Sequence, residues 1–149
     1  MTRSSGQVYS GRTLAQGTAT GRALVLGEPL SLWGGFDLAT GRVVDRHHPQ
    51  LGSTLTARVV LMPAGRGSSS SSSVLAEAVR QGTAPAGIIL LHADEILLVG
   101  ALVAAELYGR FVPIVVLDQT AYAAIRDDDV VRIEARDDQA RVVVSRPNR

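Results

Sequence analysis

The stretch "AGIILLHADEILLVGALVAAELYGRFVPIVVLD", residues 86–118, decides the fold. It opens and closes on short, unbroken apolar runs, residues 86–92 and 112–118. Both are too brief for helices and are continuous, as strands buried on both faces are. Between them, residues 99–109 are rich in small and straight-chain side chains and stop at a glycine, the pattern of a helix with a left-handed cap. Strand, helix and strand at this spacing make a βαβ unit, with parallel strands and a right-handed crossover.

Upstream, "LTARVVLMP" (residues 55–63) is a further buried-type strand, and "VLAEAVRQ" (residues 74–81) is a helix closing at Gly82. Before these, "TATGRALVL" (residues 18–26) reads as a strand with a turn or bulge at Gly21. "EPLSLWGGFD" (residues 28–37) reads as a short strand before the Gly34–Gly35 pair, followed by "TGRVVD" (residues 40–45). Downstream, residues 119–126 make one or two helical turns. Residues 130–145 form a hairpin with Asp137 and Asp138 in its turn. The expected class is α/β: one domain over residues 1–149, with a β-rich first half, a βαβ unit and a C-terminal hairpin.

Composition agrees with a folded chain. Hydrophobic residues make up 46% of the 149, and aromatics only 4%, so the core is built from Val, Leu, Ile and Ala. Fifteen basic residues, all arginine, balance 14 acidic ones to a net charge of +1, which leaves no electrostatic footprint for nucleic acid or a membrane surface. There is no cysteine, which excludes disulfides, thiolate zinc sites, cysteine nucleophiles and cysteine-ligated clusters within this chain. Residues 1–7 are polar and lead into no apolar signal segment, and the longest apolar run, residues 96–105, is about half of a bilayer span. The expectation is a cytoplasmic protein without membrane contact.

The chemistry concentrates in "PAGRGSSSSSSVLAEAVRQG", residues 63–82. Six consecutive serines suggest a flexible linker, but a core strand precedes them and a helix follows, and neither flank is large enough to be a separate domain. One serine, Ser72 or Ser73, suffices to cap the helix. In a strand–glycine loop–helix, Gly65 and Gly67 let the backbone approach a ligand closely. The helix start offers unpaired N–H groups, and Arg66 adds a planar cation suited to a carboxylate. No Gly-Lys-Ser/Thr follows, so this is not a P-loop. A serine hydroxyl becomes a base only if its alkoxide is stabilised, at about 1.4 kcal/mol per pKa unit. Converging donors in a site closed to water are the means to do so.

Other constellations are weaker. His47 and His48 lie in a polar loop before Pro49, and His92 ends a strand; no pair has metal-ligand spacing, so no metal is expected. Ser68, His92 and Asp94 could formally make a hydrolase triad, but "AGRGSS" is not a nucleophile elbow. Trp33 with Gly34 and Gly35 reads as core plus tight turn. Asp127 to Asp129 read as a solvated turn.

Three blocks together, "LSLWGGFDLATGRVVDRHHPQLG", "PAGRGSSSSSSVLAE" and "APAGIILLHADEILLVGALVAAELYG", resemble the small, swivelling domain of the aconitase X family, in the family's order over roughly residues 17–113. The resemblance implies a swivelling β/β/α domain that acts as a mobile lid in a hydro-lyase. Bacterial members, to which "GALVAAELYGR" is closer, are typically cis-3-hydroxy-L-proline dehydratases; archaeal relatives are phosphomevalonate dehydratases. It implies an iron–sulfur cluster held by a large subunit, none bound by this chain, and a heteromer active only with that partner. The family's serine base is the first serine after Gly-Arg-Gly, here Ser68. Related loops often carry a glycine within the run, where this chain has only serine, so Ser69 is the alternative. Gly65, Arg66, Gly67 and Ser69 are then substrate-binding, and Trp33, Gly34, Gly35 and His48 belong to the pocket or interface. The reading of another class is a non-catalytic swivelling ligand-binding or carrier module, which would need a histidine on the glycine-rich loop.

Overall fold

The computed structural model describes residues 6–147; Met1 to Ser5, most of the polar start noted above, lie outside them. Its elements run β1 (Gln7–Ala15), β2 (Gly17–Val25), α1 (Leu32–Gly35), β3 (Val59–Met62), α2 (Ser71–Gln81), β4 (Gly87–Leu90), α3 (Glu95–Tyr108), β5 (Ile114–Val116), α4 (Gln119–Ala123), β6 (Val130–Arg136) and β7 (Gln139–Ser145). The strands close a barrel in the order β1-β5-β4-β3-β2-β6-β7. β2, β3, β4 and β5 are parallel neighbours, as the βαβ reading requires. β6 and β7 form the expected hairpin, with Asp137 at φ +49 in a two-residue turn. β7 lies antiparallel to β1, with Gln7 opposite Val144 and Arg12 opposite Gln139.

The unbroken apolar strands follow from their two-sided burial. Along β3, Val59 and Leu61 point into the barrel with Ile89, Val115, Val131, Ile133 and Val142. Val60 and Met62 point outward, under Leu75 and Ala78 of α2 and Leu97 and Ala101 of α3. The two helices pack closely because α3 carries Gly100 at the contact: a Cβ there would lie 2.8 Å from the Ser72 carbonyl oxygen.

Several expectations are corrected. β1 had no strong signal, since "QVYSGRTLA" is half-exposed along its length. Gly21 makes no bulge; β2 runs through it opposite Val131, and the missing side chain admits the Ala57 carbonyl oxygen, 2.6 Å from where a Cβ would sit. Residues 28–37 hold no strand. Leu32–Gly35 is one kinked turn, because Gly34 takes φ +83. Residues 40–45 contribute only single bridges, Phe36 with Val43 and Arg42 with Thr54. The helix expected from Val74 starts at Ser71. The acidic turn is not simply solvated: Asp129 is buried, accepts from Arg126 N at 2.8 Å and pairs with Arg146. Asp127 accepts from Val25 N at 2.6 Å, and Asp128 pairs with Arg58 at 3.1 Å.

Candidate functional site

The serine loop leaves the C-terminal end of β3 and enters α2, beside the turn that leads from β4 into α3. Ligands of parallel sheets are commonly met at this end of the strands. Leu91 and His92 donate their N–H groups to Pro63 O, at 3.0 and 2.9 Å, and so bind the two turns together. His92 is exposed beside the loop.

The six serines have different fates. Ser68 is exposed, and its Oγ accepts from Ser70 N at 3.1 Å. A donor aimed at that oxygen favours its deprotonated form, as does its place before the positive end of α2. Ser69 is exposed, and its carbonyl oxygen accepts from Ser72 Oγ at 2.9 Å. Ser70 is the N-cap, without a side-chain capping bond. Neither Ser72 nor Ser73 is the cap, since both lie in the first turn. Ser71 is only 3% exposed, and its Oγ accepts from Trp33 N at 3.2 Å.

Arg66 is exposed and makes no ion pair among the described residues. Its guanidinium is available for an incoming anion. Gly67 takes φ +92, which favours glycine, and a Cβ there would lie 2.9 Å from Ser31 Cβ. A Cβ on Gly65 would lie 2.6 Å from Asp94 Cγ. Asp94 also accepts from Leu97 N at 2.9 Å as the N-cap of α3. Ser31 is not marked by the sequence; Ser71 is one of six identical serines there, and Asp94 appears only in the formal triad with Ser68 and His92.

Trp33 is not core; it is 59% exposed, on the kinked turn beside the serine loop, with Gly34 exposed and Gly35 buried against Leu30. His48 lies inside the following loop, 4% exposed, with Nε2 at 3.0 Å from Glu28 O and Nδ1 accepting from Gln50 N at 3.0 Å. Both of its ring nitrogens are therefore engaged by backbone.

The space under the loop, lined by Leu30, Gly65, Arg66, Ser71, Asp94 and Leu97, is about 10 Å³. That admits one water and no substrate. Ser68 does not line this space and lies exposed. Among the described residues no group of three His, Cys, Asp or Glu side chains is placed to hold a metal. With no cysteine, the chain does not fit a cysteine-ligated cluster. No helix among the described residues is long and apolar enough to cross a membrane.

Comparison with known proteins gives the family and the fold. Residues 8–144 match the family model described as the aconitase X swivel domain. A cis-3-hydroxy-L-proline dehydratase of Pseudomonas aeruginosa is 49% identical over 108 residues, 72% of this chain but only 19% of that protein. A phosphomevalonate dehydratase small subunit of Methanosarcina acetivorans is 34% identical over 124 residues, 83% of this chain and 82% of that one. The crystal structure of Thermococcus kodakaraensis aconitase X in its holo-form superposes with a TM-score of 0.80 at 28% identity, covering 92% of this chain and 98% of that one. The chain belongs to the aconitase X swivel domain family.

Proposed function

We propose that this chain is the swivelling small subunit of a hydro-lyase that dehydrates a hydroxy acid, with cis-3-hydroxy-L-proline as substrate and 1-pyrroline-2-carboxylate as product. The observation that carries the reading is Ser68: an exposed hydroxyl directly after Gly-Arg-Gly, at the mouth of a helix, with an amide donor on its oxygen and an unpaired arginine two residues away. In this reading Arg66 and the amides of the Gly65–Ser69 loop hold the substrate carboxylate. Ser68, as alkoxide, takes the proton α to that carboxylate. The C–H electron pair becomes the new C=C bond as the neighbouring C–O bond breaks. The hydroxyl leaves as water, with a proton supplied from outside this chain, and the enamine product tautomerises to the imine.

The rest of the pocket belongs to a large partner subunit, in keeping with the 10 Å³ under the loop. A cysteine-ligated iron–sulfur cluster would be that partner's, since its ligands are absent here. Closing the swivel domain over the substrate would exclude water and bring the base into place together.

A second reading is the small subunit of a phosphomevalonate dehydratase. It is favoured by relatives of that name that match this chain over most of their own length. The experiment is to assay the chain assembled with its partner on both hydroxy acids, with Ser68→Ala in parallel. Removing the base should lower turnover by roughly 10²–10⁴-fold while the partner still co-purifies. Undiminished turnover in that variant would sink the assignment of Ser68.

A further inference from the structure

We infer that Asp94 is a positioning residue for the serine loop: its carboxylate is the wall against which Gly65 is laid, and this sets where Ser68 is presented. The inference about Ser68 rests on the function proposed above; the wall itself does not.

Gly65 is the informative position. Its backbone is not in the left-handed region, so its conformation is open to any residue. The reason for a glycine is therefore space. A Cβ at residue 65 would lie 2.6 Å from Asp94 Cγ and overlap its Oδ2, with Oδ1 at 3.2 Å. The carboxylate cannot easily withdraw, because Oδ1 caps α3 through Leu97 N at 2.9 Å. Nor is α3 free to shift, since Gly100 sets it against the first turn of α2 at the Ser72 carbonyl.

The loop is bounded at a second point, two residues on. Gly67 faces Ser31, whose Oγ donates to Trp33 O at 3.0 Å, while Trp33 N donates to Ser71 Oγ at 3.2 Å. The loop is thus held closely at Gly65 by Asp94 and at Gly67 by Ser31, and Ser68 follows directly. A displacement of about 1 Å at a reacting group can cost on the order of 10²-fold in rate, so a wall this close governs turnover without touching substrate.

The test is a clash and its relief, in the chain assembled with its partner. Gly65→Ala should lower kcat at least tenfold and raise KM as well, since the loop amides it displaces are those proposed to hold the substrate carboxylate. Gly65→Ala combined with Asp94→Ser, which keeps a capping oxygen but shortens the side chain, should return kcat to within about threefold of Asp94→Ser alone. The same four proteins are compared by amide NMR without substrate. Gly65→Ala should shift the resonances of residues 66–71, and the double variant should restore them. If Gly65→Ala fails to fold, recovery of the folded spectrum in the double variant supports the wall equally. A Gly65→Ala protein with wild-type kcat and spectrum overturns the proposal, and so does a double variant no better than the single. Spectral clash and relief with no dehydration by any of the four would uphold the wall and sink the proposed reaction instead.

Discussion

Tyr122 is buried in the barrel-side core, and its hydroxyl has no hydrogen-bond partner among the described residues. Burial pushes its pKa up to about 12, because the phenolate is harder to desolvate than the phenol. The folded state therefore holds the proton more tightly than the unfolded chain, where tyrosine titrates near 10. That contribution is fully present below pH 10 and is lost as pH rises from about 10 to about 12. Tyr122→Phe should leave stability at pH 7 unchanged or raise it by roughly 1 kcal/mol. It should also flatten the loss of stability between pH 10 and 12, as read by denaturant titration at each pH. A steeper alkaline loss in the variant would contradict this.

The same scale shows what the sequence makes legible at the site. Gly65, Arg66, Gly67 and Ser68 stand out in the sequence because their features are local: two glycines flank an arginine, and a serine follows; the structure shows Arg66 and Ser68 exposed and Gly67 at φ +92. Ser71 was not, because six identical residues carry no mark of which one faces inward. Asp94 read only as a member of an unlikely triad, since its contact with Gly65 is made by folding two distant turns together.

Among the elements, α2 ends as its sequence indicates. Gly82 takes φ +81, and its N–H and that of Thr83 return to Val79 and Ala78 carbonyls at 3.2 and 2.9 Å. No atom lies within 4 Å of a Cβ placed there, so Gly82→Ala carries conformational strain alone. It should cost about 1 kcal/mol, seen as a lower melting temperature. Turnover by the assembled enzyme should be unchanged, because Gly82 is at the far end of α2 from Ser68. On the exposed side of the same helix, Arg80 and Gln81 hold the Glu77 carboxyl down to about 2.

The start of α2 was placed three residues late because serine is a weak helix former. Here the first turn gains its stability from packing, with Ser71 buried against the Trp33 turn. The βαβ unit and the hairpin were legible because their apolar periods are strong. β1 was not, because its barrel position leaves most of its side chains half-exposed, and the strand expected before Gly34 was lost to that glycine's positive φ.

At the scale of the molecule, the space beneath the serine loop is only about 10 Å³, and under the function proposed above activity is a property of the assembly with a large partner subunit. The chain alone should show no dehydration of either hydroxy acid. Addition of its large partner should restore turnover in proportion to the complex formed, measured by activity against sedimentation of the mixture. Turnover by the isolated chain would contradict a pocket shared between subunits.

The pairing of β1 with β7 has a separate consequence. Gln7 stands opposite Val144, so the first and last strands enter and leave the barrel side by side. A longer polypeptide can therefore carry this domain on a narrow double stem, without cutting the barrel and without a connection stretched across it. The matched stretch is 19% of the P. aeruginosa protein and 82% of the M. acetivorans subunit. A similar stretch thus occurs both in a much longer chain and in a subunit little longer than itself.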